Sequence, residues 1–314
     1  MTGAGGLVGG KIVQQLLEMD EISSIHAIYS RQPDDFVDLT GRLYIHVIDL
    51  TKTEEIVQLM MKVRPGFVLH AAAMTNVDAC EYERERAYAI NVACTDSIAH
   101  ACAIVNARLV YVSTDYVFDG SDEQPGPYTE YAPVHPLNYY GLTKLQGEQA
   151  VQKRCEGSTG WAICRSTVIY GQTSGTRMNF VLWLIRELRA GHTVYVVKDQ
   201  LSTPTLADHL ASMLIAVGLR GKNGIYHTAG ADYLDRLSFA QHVADVFALD
   251  ASLLQPITTA DLQQAALRPL RGGLLCNRIK TELGIQPLPI HSGIDIVRSQ
   301  LSHQLGEKRG TDLN

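Results

Sequence analysis

The sequence has no pair of cysteines at Cys-x-x-Cys spacing, although six cysteines are spread over its 314 residues. This distribution is typical of reduced thiols and excludes a disulfide framework or a zinc ribbon. The 11 histidines likewise form no His-Glu-x-x-His motif or other ligand-spaced cluster. We therefore predict no metal site. The cysteines are Cys80, Cys94, Cys102, Cys155, Cys164 and Cys276.

Charge is also scarce, because charged residues make up only 19% of the chain and the formal net charge is −6. Without a basic surplus, we exclude nucleic acid as a partner. We find no apolar run that approaches the roughly 18 residues needed to span a bilayer, and the first residues lack the basic and apolar regions of a secretory signal. We expect no membrane association and, by default, a cytoplasmic location.

The chain does carry a regular alternation of apolar strand-like and helix-like segments up to Gly171. Near-continuous apolar strands separated by helices predict an α/β fold with a parallel sheet covered on both faces. Strands are predicted at 24–30, 42–50, 67–73, 108–118 and 161–171, with helices at 12–19, 51–63, 83–105 and 136–153. Beyond Gly171 the pattern becomes irregular and predicts a smaller lobe. We divide the chain into domains 1–171 and 172–314, with segments exchanged between them.

A glycine-rich loop opens the chain and has the pattern Gly-x-x-Gly-x-x-Gly, formed by Gly3, Gly6 and Gly9 around Leu7 and Val8. Such a loop lets backbone N–H groups at a helix N-terminus approach a pyrophosphate. A glycine loop alone is weak evidence, since plain turns contain glycine triplets too. The strands and helices that follow strengthen the prediction of a dinucleotide site.

Cofactor preference depends on the ends of the next two strands. No carboxylate follows the strand that ends near Tyr29, and Arg31 stands where it could receive a 2′-phosphate, which favours NADPH over NADH. A solvated surface arginine is the alternative. Asp49 and Leu50 close the following strand; Asp49 is placed to meet the adenine, or equally to cap the next helix.

Tyr140 and Lys144 lie four residues apart on a predicted helix and so share one face. An ammonium beside the phenol would lower the tyrosine pKa toward neutrality, as a general acid requires. The alternative is an ordinary amphipathic surface. The interpretation gains from Thr114, at the carboxyl end of an apolar strand, where ligands of open α/β sheets bind. Its hydroxyl could hold a carbonyl that Tyr140 protonates.

Six further segments complete the pattern: HAAAMTNVDACE, STDYVFDG, PLNYYGLTKLQGE, RSTVIYG, DQLSTPT and ALRP. With the glycine loop, they resemble the extended short-chain dehydrogenase/reductases and, within them, the dTDP-4-dehydrorhamnose reductase group. The likeness runs from Thr2 to about Leu288. It implies a seven-stranded Rossmann-type sheet with the first strand in the middle, and a C-terminal lobe that holds a nucleotide sugar.

The resemblance also implies roles for individual residues. Thr114, Tyr140 and Lys144 match the catalytic triad, with Lys144 also on the nicotinamide ribose. The cofactor would meet the glycine loop, the strand end at Ala71, Ala72 and Ala73, and the backbone at Ser166 and Thr167. The substrate pocket would include Thr75, Tyr116, Val168, Asn179 and Arg268. The implied reaction is NAD(P)H-dependent reduction of the C4 carbonyl of a nucleotide-linked 4-keto-6-deoxy sugar.

Two departures from the group's pattern concern the substrate. The group commonly has a tryptophan where this chain has Val168, and its loop usually ends Gly-Gln-Leu-Gly rather than Gly-Leu-Val-Gly. The sugar therefore stays open, as do a divalent-ion requirement and the oligomeric state, although some reductases of the group pair as homodimers. The alternative is a regulatory subunit like the beta subunit of methionine adenosyltransferase, which also resembles this group.

Relatives place five or six apolar residues before the glycine loop, where this sequence has only Met1. A missing central strand would leave buried N–H and C=O groups unpaired, at about 1–3 kcal/mol each. We therefore expect the natural start to lie upstream. If it does not, we expect a rearranged sheet or weak cofactor binding.

Overall fold

The computed structural model describes residues 1–33, 40–157, 160–173 and 178–311, with side chains as far as residue 303. The strands are β1 (Ile25–Tyr29), β2 (Leu43–Val47), β3 (Phe67–His70), β4 (Arg108–Thr114), β5 (Trp161–Ser166), β6 (Ile169–Tyr170), β7 (Val194–Val197), β8 (Leu201–Ser202), β9 (Thr205–Leu206), β10 (Gly224–His227), β11 (Leu234–Asp235) and β12 (Leu254–Ile257). The helices are α1 (Leu7–Leu17), α2 (Thr53–Val63), α3 (Val77–Tyr82), α4 (Arg84–Tyr88), α5 (Cys94–Val105), α6 (Tyr139–Cys155), α7 (Phe180–Arg189), α8 (Ala207–Arg220), α9 (Arg236–Val246), α10 (Asn277–Leu283) and α11 (Ile290–Thr311).

The main sheet is parallel, as predicted. Strands β3, β4, β5 and β10 pair side by side in the order β10-β5-β4-β3, and β1 pairs with β2. The doubly wound α/β prediction is confirmed. The resemblance implied seven strands, whereas six regular strands form the described main sheet.

Thr2 joins the two parts of this sheet. It makes parallel bridges to both Ile28 of β1 and His70 of β3. Its N–H donates to Leu69 O at 3.0 Å, and the Ile28 N–H donates to Met1 O at 2.9 Å. Met1 and Thr2 thus occupy the middle position that the family pattern gives to the first strand. The order of the flanking strands is retained rather than rearranged.

Helices cover both faces of the sheet. On one face α1 packs against α8, and their buried side chains include Ile12, Leu210 and Met213. On the other face α5 packs between α2 and α6, around residues such as Ile56 and Ile98. Because α6 carries Tyr140 and Lys144, this second layer sets the position of the predicted catalytic pair.

The long helix predicted at 83–105 is helical but interrupted. A π turn at Ala89–Ala93 separates α4 from α5. The span Arg84–Val105 has mean hydropathy 1.3 and is long and apolar enough to cross a membrane, contrary to our expectation that no segment reaches that length. In the structure 44% of it is buried, and its inner side packs on α2 and α6.

A second apolar core lies in the C-terminal half. It is formed by α7, α9, α11 and strand β7, with buried residues such as Val181, Leu184 and Phe239. Helix α8 contributes mainly to the core of the parallel sheet instead. A segment of the C-terminal half therefore packs in the core of the N-terminal half, which is the kind of exchange between domains that we predicted. The domain boundary at 171/172 stays a prediction.

The single strand predicted at 161–171 is broken into β5 and β6. Between them Val168 has φ of +42°, a left-handed conformation that strains a β-branched residue. Its carbonyl accepts a hydrogen bond from Thr205 N at 3.1 Å. The chain therefore changes direction at Val168 and pairs with β9, where the group pattern has a tryptophan.

Candidate active site

Thr114 is the last residue of β4 and is buried at the carboxyl edge of the sheet. Its hydroxyl accepts a hydrogen bond from Tyr116 N at 3.2 Å, which caps a short 3-10 turn at Asp115–Val117. Ser166 of β5 is its register partner and donates to Ser113 O at 3.4 Å. The structure thus brings together the strand ends that the sequence predicted as catalytic and cofactor-contacting.

Helix α6 begins beside this turn. The Asn138 side chain caps it by accepting from Gly141 N at 2.8 Å. A Cβ at Gly141 would lie 2.2 Å from Tyr116 O, so glycine allows the helix to touch the 3-10 turn. The Thr114 side chain is close enough to Tyr140 to form a hydrogen bond with its phenol. The threonine and the tyrosine of the predicted triad therefore meet.

The electrostatics of Tyr140 differ from the prediction. Burial raises the pKa of its phenol, Tyr116 and Asp115 raise it further, and the hydrogen bond with Thr114 lowers it. We expected Lys144 to lower this pKa, and in the structure its ammonium instead lies 4.1 Å from the centre of the Tyr111 ring. Tyr140 is consequently a neutral phenol at neutral pH, which keeps its proton available for donation.

Lys144 is buried, and burial lowers its pKa to about 7, while Glu148 one helical turn further on opposes this shift. Glu148 is itself fully engaged. It accepts from Ser113 Oγ at 2.6 Å and forms a bidentate pair with Arg165 at 2.8 and 2.6 Å. The buried face of α6 is thereby tied to the ends of both β4 and β5.

The glycine loop has the close contacts that a pyrophosphate loop needs. Gly3 has φ of +75°, and a Cβ there would lie 2.8 Å from Ala72 N. A Cβ at Gly9 would lie 2.0 Å from Gly3 O. Gly6 is the N-cap residue of α1, and Leu7 begins that helix, followed by Val8.

Gly5 and Gly6 are exposed before α1, and Gly3 lies against Ala71 and Ala72 in the segment that follows β3. Helix N-termini present unpaired N–H groups and a positive dipole end, so the residues present fit the diphosphate of a dinucleotide.

Arg31 and Asp49 lie further along the same edge. Arg31 is exposed, two residues after β1. Asp49 is also exposed, and its carboxylate accepts from Thr51 N at 3.0 Å and Thr51 Oγ1 at 2.9 Å. Asp49 thus forms a local turn before α2 but does not cap the helix, whose N-cap residue is Lys52. Leu50 packs against the core under α2. A cofactor contact for these residues stays a prediction.

The predicted substrate residues divide into two groups. Tyr116 lies edge-on to Tyr140, with ring centres 5.6 Å apart, and Arg268 hydrogen bonds to the Tyr116 phenol. Thr75 is exposed in the loop after β3. By contrast, Asn179 is engaged locally, since it caps α7 by accepting from Leu182 N and donates to Gly171 O at 2.7 Å.

The side chains of Thr114, Tyr116, Tyr140 and Arg268 lie together, and we refer to their surroundings as the cleft. Thr167 and Val168 join the chain after β5 to β9 through the backbone. The Thr167 carbonyl accepts from Thr205 Oγ1 at 2.8 Å. Together with the Val168 carbonyl bond to Thr205 N, this holds the strained turn against β9.

Asn91 is a positioning residue that the sequence reasoning missed. It lies in the π turn, fully buried. Its amide donates to Met74 O at 3.1 Å and Thr143 Oγ1 at 3.0 Å, and it accepts from Met74 N at 2.8 Å. The loop after β3 is thus joined to α6. An asparagine inside an otherwise apolar helix was the available signal.

Two acidic residues of α3 also set the site. Asp78 pairs with Arg268 through two bonds of 2.7 Å, and Glu81 accepts from Tyr139 N at 2.7 Å at the start of α6. Both belong to the segment HAAAMTNVDACE, which carries part of the family resemblance. Their spacing of three residues places both on one side of α3.

Relatives with known names match nearly the whole chain. A probable low-salt glycan biosynthesis reductase, Agl14, of Haloferax volcanii is 32% identical over 90% of this chain and 91% of its own length. A dTDP-4-dehydrorhamnose reductase of Aggregatibacter actinomycetemcomitans is 32% identical, covering 91% and 93%. The beta subunit of methionine adenosyltransferase 2 of Xenopus laevis is 31% identical, covering 94% and 85%.

Solved structures agree with this assignment. The crystal structure of dTDP-4-dehydrorhamnose reductase from Bacillus anthracis in complex with NADP superposes with a TM-score of 0.81 at 27% identity, covering 95% of this chain and 97% of that one. The family model described as the RmlD substrate binding domain matches residues 1–302. The chain belongs to the RmlD substrate binding domain family, within the extended short-chain dehydrogenase/reductases.

Proposed function

We propose that this protein reduces the C4 carbonyl of a nucleotide-linked 4-keto-6-deoxy sugar, as its reductase relatives are named to do. The observation that carries the proposal is the contact between the Thr114 side chain and the Tyr140 phenol at the carboxyl edge of the sheet, with Lys144 one helical turn further along α6. NADPH or NADH, when bound, supplies the hydride. The rest of the chemistry belongs to side chains of this chain.

Tyr140 donates the proton to the carbonyl oxygen as that oxygen gains negative charge. Its buried, neutral phenol holds the proton until the charge develops, when the transfer becomes favourable. Thr114 contacts the phenol and orients the same oxygen. Positioning donor and acceptor in one cleft removes much of the entropic barrier.

Lys144 supplies positive charge behind Tyr140. It is one turn further along α6 and is held at the Tyr111 ring. Because its ammonium lies at Tyr111, we assign Lys144 to the nicotinamide ribose, as the family resemblance implies, rather than to lowering the Tyr140 pKa. Because burial lowers the pKa of Lys144 to about 7, bound groups that carry negative charge would favour its protonated form.

Cofactor binding is assigned to the glycine loop, Ala71–Ala73, Ser166 and Thr167, with Arg31 favouring NADPH. The substrate side is assigned to Thr75, Tyr116, Val168, Asn179 and Arg268. Location in the cytoplasm and assembly as a homodimer belong to the same proposal.

The deciding experiment measures cofactor oxidation by the purified chain in the presence of dTDP-4-dehydrorhamnose. The assay is run first with NADPH and then with the same concentration of NADH. Turnover with formation of a 4-hydroxy sugar supports the proposal. NADPH binding without turnover of any nucleotide-linked 4-keto sugar would overturn it.

A regulatory role is the second candidate, favoured by the likeness to the methionine adenosyltransferase beta subunit. It predicts nucleotide binding without turnover and tight association with a synthetase partner. The assembled Thr114–Tyr140 contact favours the reductase, because a purely regulatory subunit has no need of a proton donor. Co-purification with a synthetase in the absence of sugar turnover would reverse this order.

A further inference from the structure

Arg236 lies at the edge of the cleft and has no role in the assignments above. It is the first residue of α9, whose N-cap Asp235 accepts from Ser238 N at 2.9 Å. The Arg236 N–H donates to Gln200 O at 3.1 Å. Its guanidinium carbon lies 4.9 Å from the centre of the Phe180 ring, at the start of α7. Both ends of the residue are therefore fixed.

The charge of Arg236 lacks a carboxylate partner within ion-pair distance among the described residues. The two other arginines near the cleft are each neutralised by a bidentate pair, Arg165 by Glu148 and Arg268 by Asp78. Holding a partly buried charge without such a pair costs free energy. Sites that bind an anion keep this kind of uncompensated charge.

The surroundings of Arg236 place it in the cleft of the proposed proton donor. It interacts electrostatically with Tyr116, whose ring touches Tyr140, and with Asp115. Asp115 is a poor counter-ion, because it is buried and its carboxylate is already turned to Thr114 Oγ1 and Gly273 N, each at 3.4 Å. A negative group of the substrate could therefore take the place of a protein carboxylate.

Phe180 also determines which part of the guanidinium is available. An aromatic ring contacts the flat face of the group and leaves its N–H edge free for planar, bidentate bonds to phosphate oxygens. We infer that Arg236 binds the diphosphate of the nucleotide-linked sugar and so orients the sugar ring toward Tyr140. This inference rests on the proposed function for the class of substrate, and adds the residue that recognises its charge.

The test compares two ligands by calorimetry on the full chain: thymidine diphosphate, and thymidine, which lacks the phosphates. The variants are Arg236→Met, which keeps the packing of the stem on Phe180, and Arg236→Lys, which keeps the charge. Arg189→Met is the matched control, because Arg189 also lies over a ring, that of Phe247 at 5.9 Å, and is exposed on the same lobe. NADPH binding reports an intact fold.

We expect Arg236→Met to weaken thymidine diphosphate binding by about 10- to 100-fold, the range for loss of charge-assisted hydrogen bonds. The affinity of Arg236→Met for thymidine and for NADPH should be unchanged. Arg236→Lys should have an intermediate affinity for thymidine diphosphate, and Arg189→Met should have the affinity of the wild type. Equal thymidine diphosphate affinity in Arg236→Met and wild type overturns the inference and leaves the reductase proposal standing. A wild-type chain that binds NADPH but not thymidine diphosphate overturns both.

Discussion

Asp78 and Arg268 are 190 positions apart in the sequence, and two hydrogen bonds of 2.7 Å join their side chains. The same carboxylate accepts from Ala266 N at 2.9 Å, and the guanidinium holds the Asp78 pKa below its usual range. The C-terminal segment that contains Arg268 is thus fixed on α3, next to Tyr116. A contact between distant parts of the chain sets one wall of the cleft.

Asp78→Asn should therefore weaken substrate binding more than chemistry. The amide keeps one hydrogen bond but loses the charge, so we expect KM for the nucleotide sugar to rise about 10-fold, with kcat and NADPH affinity nearly unchanged. Asp96→Asn is the control, since Asp96 forms a similar bidentate pair with Arg154 on α6, away from the cleft. Equal changes in both variants would contradict the assignment.

Gly9→Ala should abolish NADPH binding. A Cβ at Gly9 would lie 2.0 Å from Gly3 O, so the loop and the first turn of α1 would have to separate. The neighbouring Gly10→Ala is a matched control, because the nearest atoms to its Cβ would be side-chain atoms of Thr173 at 3.0 Å rather than the backbone of the loop. Fluorescence titration with NADPH measures the affinity of both variants for the cofactor. Retained binding in Gly9→Ala would show that the cofactor lies elsewhere.

Tyr140→Phe should lower kcat by about 10²- to 10⁴-fold, the usual contribution of a general acid, and leave NADPH affinity intact. The phenylalanine keeps the contact with the Tyr116 ring and removes the hydroxyl, and with it both the donated proton and the hydrogen bond to Thr114. Tyr139→Phe tests specificity of the effect, because Tyr139 precedes it on α6 and packs under Arg84 instead. Near-normal turnover of Tyr140→Phe would remove Tyr140 from the mechanism.

Much of the fold could be predicted because its signals are local. The apolar runs that became β3, β4 and β5 and the helix that carries Tyr140 follow from hydrophobic pattern and capping residues such as Asn138. The π turn at Ala89–Ala93 could not, since it arises from the bonds of Asn91 to Met74 and Thr143. Those partners are distant in sequence.

The site was predicted only in part for the same reason. Motif spacing indicated Thr114, Tyr140 and Lys144, but spacing on a helix does not say which way an ammonium turns. The ring of Tyr111, on β4, holds Lys144, so the predicted lowering of the Tyr140 pKa by Lys144 was wrong. Arg236 carried no motif and emerged only from its neighbours.

Lys144 should make stability depend on pH. Burial lowers its pKa from 10.5 to about 7, so between those values the unfolded chain binds the proton and the folded chain does not. The penalty of the buried charge is complete below pH 7 and is relieved as pH rises toward 10.5. The pKa of neighbouring His70 is lowered to about 3 and that of Tyr111 is raised well above 10, so neither side chain titrates in this window in the folded chain.

Lys144→Met should consequently raise Tm of the cofactor-free protein at pH 6.5 by a few degrees, on the order of 2–4 °C for each kcal/mol gained. The difference from wild type should shrink steadily up to pH 10. Lys153→Met, at an exposed position of α6, should show no such trend. Thermal unfolding of the three proteins at a series of pH values tests this prediction. A Tm difference between Lys144→Met and wild type that is constant with pH would contradict a destabilising buried charge at Lys144.

The buried pair of Glu148 and Arg165 should show strong non-additivity. Both side chains are at most 3% exposed, and Arg165 also lies over the Phe118 ring at 5.1 Å. Glu148→Gln leaves the guanidinium without its counter-charge, which costs about 3–5 kcal/mol of unfolding free energy. Arg165→Met in the same chain removes that charge and should recover most of the loss, because a neutral core of similar volume is often as stable as the pair.

Urea unfolding of the two single variants and the double variant completes the cycle, with Glu187→Gln as control. Glu187 pairs with Arg186 at the surface, where such pairs contribute about 0–1 kcal/mol. A double variant no more stable than Glu148→Gln would mean that hydrogen bonding to Ser113, rather than charge balance, holds α6 on the strands. If the double variant recovers stability but turns over more slowly, the role of the pair in stability is separate from its effect on Lys144. Glu148→Gln and the double variant both lack the Glu148 charge, which raises the pKa of Lys144.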